Sequence, residues 1–106
     1  MDLRWPEGYG RRVLAEVDST NAEAARIVGE LAGPTWILGL RQTAGHGRRG
    51  RVWNHPEDNF AGSLVMRPAE GAQAMAKRSF VAALSLYDAL AQVTGRTDGL
   101  ALKWPN

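Results

Sequence analysis

The sequence contains no cysteine among its 106 residues, so disulfides and thiolate chemistry are excluded. It has no apolar run long enough to span a bilayer, and its first residues lack the apolar core of a signal peptide. The formal net charge is only +2, which does not by itself indicate a nucleic-acid partner. These absences favour a single soluble domain in a reducing, cytoplasmic environment, with no membrane partner.

The charges that are present are distributed unevenly. No acidic residue lies between Glu30 and Glu57, and this interval contains two histidines and several arginines, namely Arg41, Arg48, Arg49 and Arg51. A positive field confined to one interval is expected of a pocket for a single anion rather than of a long polyanion track.

The segment Gln42–Trp53, QTAGHGRRGRVW, concentrates glycine and arginine. Its Gly45–Gly50 part satisfies G-x-G-x-x-G, but a dinucleotide fold needs a helix directly after this motif, and the residues that follow are poor helix formers. A phosphate-binding P-loop would need lysine and then serine or threonine where Arg51 and Val52 stand. Both interpretations therefore fail.

Three interpretations of this segment remain. It could be a solvated basic loop, a nucleic-acid contact in which Trp53 stacks on a base, or a closed pocket for a small anion or nucleotide. In the pocket, glycines would let backbone N–H groups approach a phosphate and arginines would neutralise its charge. Gln42, Trp53 and the acid-free flank favour the pocket.

Residue periodicity predicts an α+β fold with a mixed sheet packed with helices. The predicted strands are 12–17, 36–40, 63–67 and 100–104. One helix is expected to begin with a capping box of Thr20 and Glu23 and to end at Gly33-Pro34. A longer helix is expected over 74–93, ended by Gly95, with a buried stripe of Phe80, Ala83, Leu84, Tyr87, Leu90 and Ala91.

Four motifs, in order along the chain, resemble the catalytic domain of biotin protein ligases, the biotin–[acetyl-CoA-carboxylase] ligases. They are Ser19-Thr20-Asn21, the Gly/Arg segment with its tryptophan, Asn59 with Ser63, and the KWPN run 103–106. The resemblance extends from about Val13 to the last residue. It implies a biotin/lipoate ligase-like fold, similar to that of class II aminoacyl-tRNA synthetases.

The resemblance also implies an activity. Such enzymes join the carboxylate of biotin to AMP from ATP, with Mg²⁺ accompanying the nucleotide, and pass the biotinyl group to a lysine of a biotin carboxyl carrier protein domain of acetyl-CoA carboxylase. Cationic groups would bring two mutually repelling anions together. Glycines would let the loop fold over the reactive intermediate, so we expect the loop to be disordered when empty.

Carried onto this chain, the resemblance assigns residues to three roles. The predicted biotin-binding residues are Ser19, Thr20, Gln42, Gly45, Gly47 and Arg48. The predicted nucleotide-binding residues are Arg49, Arg51, Trp53, Lys103 and Asn106. Arg48 and Arg51 are the predicted catalytic residues, and no protein metal site is predicted. Each has a plain alternative, such as helix capping for Thr20 or core packing for Trp53.

The sequence departs from the family pattern at two places. His46 stands where arginine is common, which is expected to loosen loop closure. The aspartate and glycine-flanked lysine expected after KWPN are missing, so we expect residues 1–106 to be the N-terminal part of a truncated catalytic domain, without its C-terminal half and small C-terminal domain, and with little ligase activity alone.

The sequence and the resemblance also give expectations about binding partners and leave alternative functions open. We expect no N-terminal helix-turn-helix domain and hence no DNA binding, and a homo-oligomer is left open. Two alternative functions remain: a lipoate or octanoate transferase-like relative, and a non-catalytic small-molecule or RNA-binding module.

Overall fold

A computed structural model describes residues 4–52, 60–67, 69 and 71–102, without the side chain of Arg48. These residues form two compact units, one spanning 4–67 and the other containing the described residues from 69 onward. The first unit contains strands β1 (Gly10–Leu14), β2 (Thr35–Gly39) and β3 (Gly62–Val65), helix α1 (Thr20–Ile27), and 3₁₀ turns at Val28–Glu30 and Arg48–Gly50. The second contains helices α2 (Ala72–Ala76) and α3 (Arg78–Thr94).

The three strands of the first unit form a mixed sheet in the order β1-β2-β3. β1 runs parallel to β2, with Gly10 opposite Thr35, and β3 runs antiparallel to β2. The predicted mixed sheet is confirmed. Helix α1 packs on β2 and β3, and the core beneath it contains Val17, Ile27 and the fully buried Ile37.

The first strand begins and ends earlier than predicted. The sequence indicated residues 12–17, whereas the strand spans Gly10–Leu14. Val13 is half exposed and Val17 is buried. The pairing of Gly10 with Thr35 sets this register: a Cβ on Gly10 would lie 2.9 Å from Thr35 Oγ1, so the close approach requires glycine.

The second unit corrects two predictions and confirms one. The predicted helix over 74–93 is divided at Lys77 into α2 and α3, and Gly95 ends α3 with φ 70° while its N–H donates to Ala91 O at 2.8 Å. No described residue of α3 is buried: Phe80, Leu84 and Leu90 are 55%, 52% and 41% exposed. An apolar stripe on a helix is buried only where another element covers it. Within its own unit α3 packs on α2, which is much shorter than α3 and so does not cover the predicted stripe.

The predicted last strand is not formed where the structure can be described. Residues 100–102 belong to no strand or helix, and Lys103–Asn106 lie outside the described residues. Within the described part of the chain, none of the helices is long and apolar enough to cross a membrane.

Candidate functional site

The start of α1 is capped by a different residue from the one predicted. Ser19 is the N-cap, and its Oγ accepts a hydrogen bond from the Ala22 N–H at 3.0 Å. The predicted capping box of Thr20 and Glu23 is therefore wrong by one residue, although the helix does begin at Thr20. Because Ser19 satisfies the helix end, the Thr20 hydroxyl is available for other contacts.

Thr20 contacts Gln42 through its backbone. Gln42 follows β2 and is held by an isolated parallel bridge to Val17. Its Oε1 accepts from Thr20 N at 2.9 Å and lies 3.4 Å from Thr20 Oγ1. A backbone N–H can only donate, so the amide oxygen must face Thr20 and the amide nitrogen must face away. Among the described residues, Gln42 Nε2 has no acceptor, which leaves a donor pair beside the cavity.

Two hydroxyls join α1 to β3. Thr20 Oγ1 lies 2.9 Å from Ser63 Oγ, which donates to Asn21 Oδ1. Since the single proton of Ser63 is used on Asn21, the Thr20 hydroxyl donates to Ser63. Thr20 Oγ1 therefore keeps a lone pair for an incoming donor.

These groups surround a cavity of about 230 Å³ in the first unit. Its lining residues are Ser19, Thr20, Asn21, Gln42, Gly45, His46, Phe60, Ala61, Gly62 and Ser63. The polar members lie at the start of α1, after β2 and within β3, and the apolar members Phe60 and Ala61 precede β3, which begins at Gly62. The cavity thus has a hydrogen-bonding end with a donor and an acceptor, and an apolar wall beside them.

The apolar wall was not identified from the sequence. The ring of Phe60 lies over Gly62, where a Cβ would be 2.5 Å from Phe60 Cζ and 3.0 Å from Leu38 Cδ2. The ring is 73% exposed, so it lies at the mouth of the cavity rather than in the core. In the sequence, the only indication of this wall was that Phe60 and Gly62 stand between the motif residues Asn59 and Ser63.

The Gly/Arg segment borders the cavity through its first residues. Gly45 and His46 line it, and His46 pairs with Val52 in an antiparallel bridge. Gly47 N donates to Arg51 O at 2.7 Å, which closes the segment into a tight turn. Arg49 and Gly50 at the tip have φ of 60° and 69°, a conformation that glycine adopts easily and arginine seldom does.

The structure brings together part of the predicted site. Ser19, Thr20, Gln42 and Gly45 line one cavity, and their role in binding biotin stays a prediction. Gly47, Arg49 and Arg51 lie in the adjoining turn and are not lining residues, and the Arg48 backbone lies in the same turn. Trp53, Lys103 and Asn106 lie outside the described residues. Their roles, and the expected ordering of the loop by a ligand, stay predictions.

The charges near α1 form a compact group. The Arg26 guanidinium donates to both oxygens of Asp18, and this contact holds the pKa of the Asp18 carboxyl well below its usual range. The same contact raises the pKa of Arg26. Within residues 4–52, 60–67, 69 and 71–102, no three histidine or acidic side chains converge as metal ligands would.

Comparison with known proteins identifies the class. The sequence model of the biotin/lipoate A/B protein ligase family matches residues 10–106, nearly the whole chain. The chain belongs to this family. The resemblance inferred from the four motifs is thereby confirmed.

Individual relatives are more specific. Over 94 residues, the chain is 56% identical to a biotin–[acetyl-CoA-carboxylase] ligase of Paracoccus denitrificans, covering 89% of this chain and 39% of that protein. Over 101 residues it is 33% identical to the bifunctional ligase/repressor BirA of Escherichia coli, covering 94% and 31% respectively. The chain thus spans less than half the length of these relatives.

A solved structure confirms the fold. The biotin acetyl coenzyme A carboxylase synthetase of Helicobacter pylori, crystallised with bound biotinylated ATP, superimposes with a TM-score of 0.72. The two sequences are 24% identical, and the match covers 92% of this chain and 47% of that one. At this identity the likeness establishes the predicted biotin ligase-like α+β fold.

Proposed function

We propose that this chain carries the biotin-binding part of an ATP-dependent biotin ligase. The observation that supports this most directly is the polar end of the cavity, where Gln42 Nε2 has no acceptor among the described residues and Thr20 Oγ1 keeps a lone pair. A ureido ring offers a carbonyl acceptor and N–H donors side by side, and so complements this pair. The name of the Paracoccus relative supports the same substrate.

The rest of the cavity suits the remainder of the vitamin. The apolar wall at Phe60, Ala61 and Gly62 would lie along the sulfur-containing ring and the first methylenes of the acyl chain. Ser19, whose Oγ already accepts from Ala22 N, would contribute its hydroxyl proton at the ureido end. Gly45 and Gly47 would direct the acyl chain of biotin toward the turn at Arg48–Gly50.

The proposed reaction begins with attack of a biotin carboxylate oxygen on the α-phosphorus of ATP. A C–O–P linkage forms, the bond to the β-phosphate oxygen breaks, and pyrophosphate leaves with its electron pair. Arg48 and Arg51 would neutralise the attacking carboxylate and the phosphate, and Arg49 would support the phosphates. Arg49 and Arg51 are exposed, so their side chains are accessible to an incoming nucleotide.

The second half-reaction transfers the biotinyl group. The amine of an acceptor lysine attacks the acyl carbon, an amide forms, and AMP departs. We propose a biotin carboxyl carrier protein domain as the acceptor, Mg²⁺ as the companion of ATP, and the cytoplasm as the location. Trp53, Lys103 and Asn106 are proposed for the nucleotide end.

A lipoate or octanoate transferase-like function is the second candidate, because the matching family includes lipoate ligases. Those acyl groups have no ureido ring. The hydrogen-bonding end of the cavity, formed by Thr20, Gln42 and Ser63, would then face only methylenes or a dithiolane, which cannot satisfy it.

Calorimetric titration of the chain tests the proposed function. We expect biotin and dethiobiotin, which both have the ureido ring, to bind, and we expect ATP to strengthen biotin binding. Lipoate and octanoate serve as matched ligands without the ring. Lipoate binding without biotin binding would favour the second candidate. Salt-sensitive binding of a short RNA alone would favour an RNA-binding module, and would contradict both ligase proposals.

Replacing Gly62 with alanine is expected to weaken biotin binding by about three- to tenfold while lowering the free energy of unfolding by about 1 kcal/mol, the low end for adding a methyl group to a packed position. The added methyl group would displace the Phe60 ring, which is exposed and can move at small cost. Titration and chemical denaturation measure the two effects. In a Phe60→Ala background the same change should have almost no effect on binding. An equal loss in both backgrounds would contradict the assigned contact.

A further inference from the structure

Asp18 connects the two walls of the cavity. Its backbone carbonyl accepts from Ala44 N at 2.7 Å, directly before the lining residue Gly45. Its side-chain Oδ1 accepts from Ser19 N at 2.8 Å, at the start of α1. One residue therefore holds both the Ser19–Thr20 wall and the Gly45–His46 wall.

Arg26 fixes the orientation of this residue. Its Nη1 and Nη2 donate to Asp18 Oδ2 and Oδ1 at 2.9 and 2.7 Å, and its Nε donates to Glu23 Oε1 at 2.9 Å. Two parallel N–H···O contacts define the plane of a carboxylate more narrowly than a single contact does. With both oxygens held, Oδ1 remains directed at Ser19 N.

A contribution to the free energy of unfolding does not explain the Arg26–Asp18 ion pair well. The Arg26 and Asp18 side chains are 51% and 42% exposed, and ion pairs at such positions contribute little to folding. A comparable exposed pair, Arg96 with Asp98, belongs to the second unit, whereas the cavity is formed by residues of the first. What distinguishes the first pair is that its carboxylate also holds a residue of the cavity.

We propose that Arg26 is a positioning residue for the biotin site. By holding the Asp18 carboxylate, it fixes the Ser19 peptide and the separation between the α1 wall and the Gly45–His46 wall. Arg26 does not line the cavity and contacts no ligand in this proposal. The inference rests on the proposed biotin-binding function.

The test compares four variants of the chain. Arg26→Met removes the Asp18 and Glu23 contacts but keeps much of the side-chain length. Glu23→Gln weakens only the second contact, Arg26→Lys restores a single charged donor, and Arg96→Met removes the comparable pair elsewhere. Circular dichroism first verifies that each variant is folded at the temperature of measurement.

We expect Arg26→Met to weaken biotin binding about three- to tenfold in calorimetry, and Arg26→Lys to recover part of the loss. Amide hydrogen exchange in the free protein should accelerate at Ser19 and Ala44 in Arg26→Met. Neither readout should change in Glu23→Gln or Arg96→Met. A purely structural surface pair would not produce this local pattern.

Two outcomes overturn the proposal: unchanged exchange at Ser19 and Ala44 in Arg26→Met, or wild-type biotin affinity in that variant. Failure of the wild-type chain to bind biotin would contradict the proposed function instead. The exchange measurement needs no ligand, so it still decides whether Arg26 positions these two amides.

Discussion

Replacing Gln42 with leucine is expected to lower the affinity for biotin by about 10- to 100-fold and also to destabilise the fold. The loss of affinity arises at the ligand: the ureido carbonyl loses the proposed contact with Gln42 Nε2, and a buried acceptor left unsatisfied costs about 1–3 kcal/mol. The loss of stability arises within the protein: Thr20 N, in a residue only 4% exposed, loses its acceptor in the free and the bound state alike, which lowers the free energy of unfolding by about 1–3 kcal/mol.

Gln42→Glu separates these two effects. A carboxylate keeps an acceptor for Thr20 N but removes the donor that would face the ureido carbonyl, so this variant should fold like the wild type and still bind biotin poorly. Gln92→Leu provides the matched control, because Gln92 is exposed on α3 in the other unit. Calorimetry and thermal denaturation measure binding and folding. Wild-type affinity in both Gln42 variants would contradict the assignment of this side chain to the ligand.

Replacing Arg48 with alanine is expected to slow biotin activation by about 100- to 1,000-fold, the range typical for removing one preorganised group that stabilises transition-state charge. The proposed reaction brings a carboxylate against a polyphosphate, and their repulsion must be offset by cations. Arg48 lies in the turn that follows the lining residues Gly45 and His46. Biotin-dependent pyrophosphate exchange by the full-length protein measures this rate.

Binding measurements on the same variant add a second criterion. Arg48→Ala should abolish the strengthening of biotin binding by ATP in the chain, whereas Arg96→Ala, which removes an exposed arginine of the second unit, should leave it intact. Activation at the wild-type rate in Arg48→Ala would remove the electrostatic basis of the proposed mechanism.

Local sequence signals predicted the elements whose boundaries depend on near neighbours. Helix α1 begins at Thr20 as expected, and Gly95 ends α3 because it adopts a positive φ. β2 was predicted to within one residue because its apolar run is buried in the sheet. The β1 boundary could not be predicted, because it depends on the fit of Gly10 against Thr35 on another strand.

The cap of α1 shows how a local rule can identify the helix and miss the site. Ser19 and Thr20 are both good capping residues, and a glutamate stands three positions after Thr20. In the structure Ser19 is the cap, and Glu23 contacts Arg26. Packing against Gln42 and Ser63, and not the local capping rule, therefore determined that the Thr20 hydroxyl is available to the cavity.

The sequence by itself determined the mixed α+β class, the Gly/Arg segment, and four of the residues that line the cavity, because these follow from composition, periodicity and a recognisable order of motifs. Only the tertiary structure decided that Ser63 lies against Thr20, that the Phe60 ring covers Gly62, and that Asp18 joins the two walls. The physical reason is distance along the chain. Strand pairing brings Ser63 to Thr20 across a separation of 43 positions, and no local preference encodes that register.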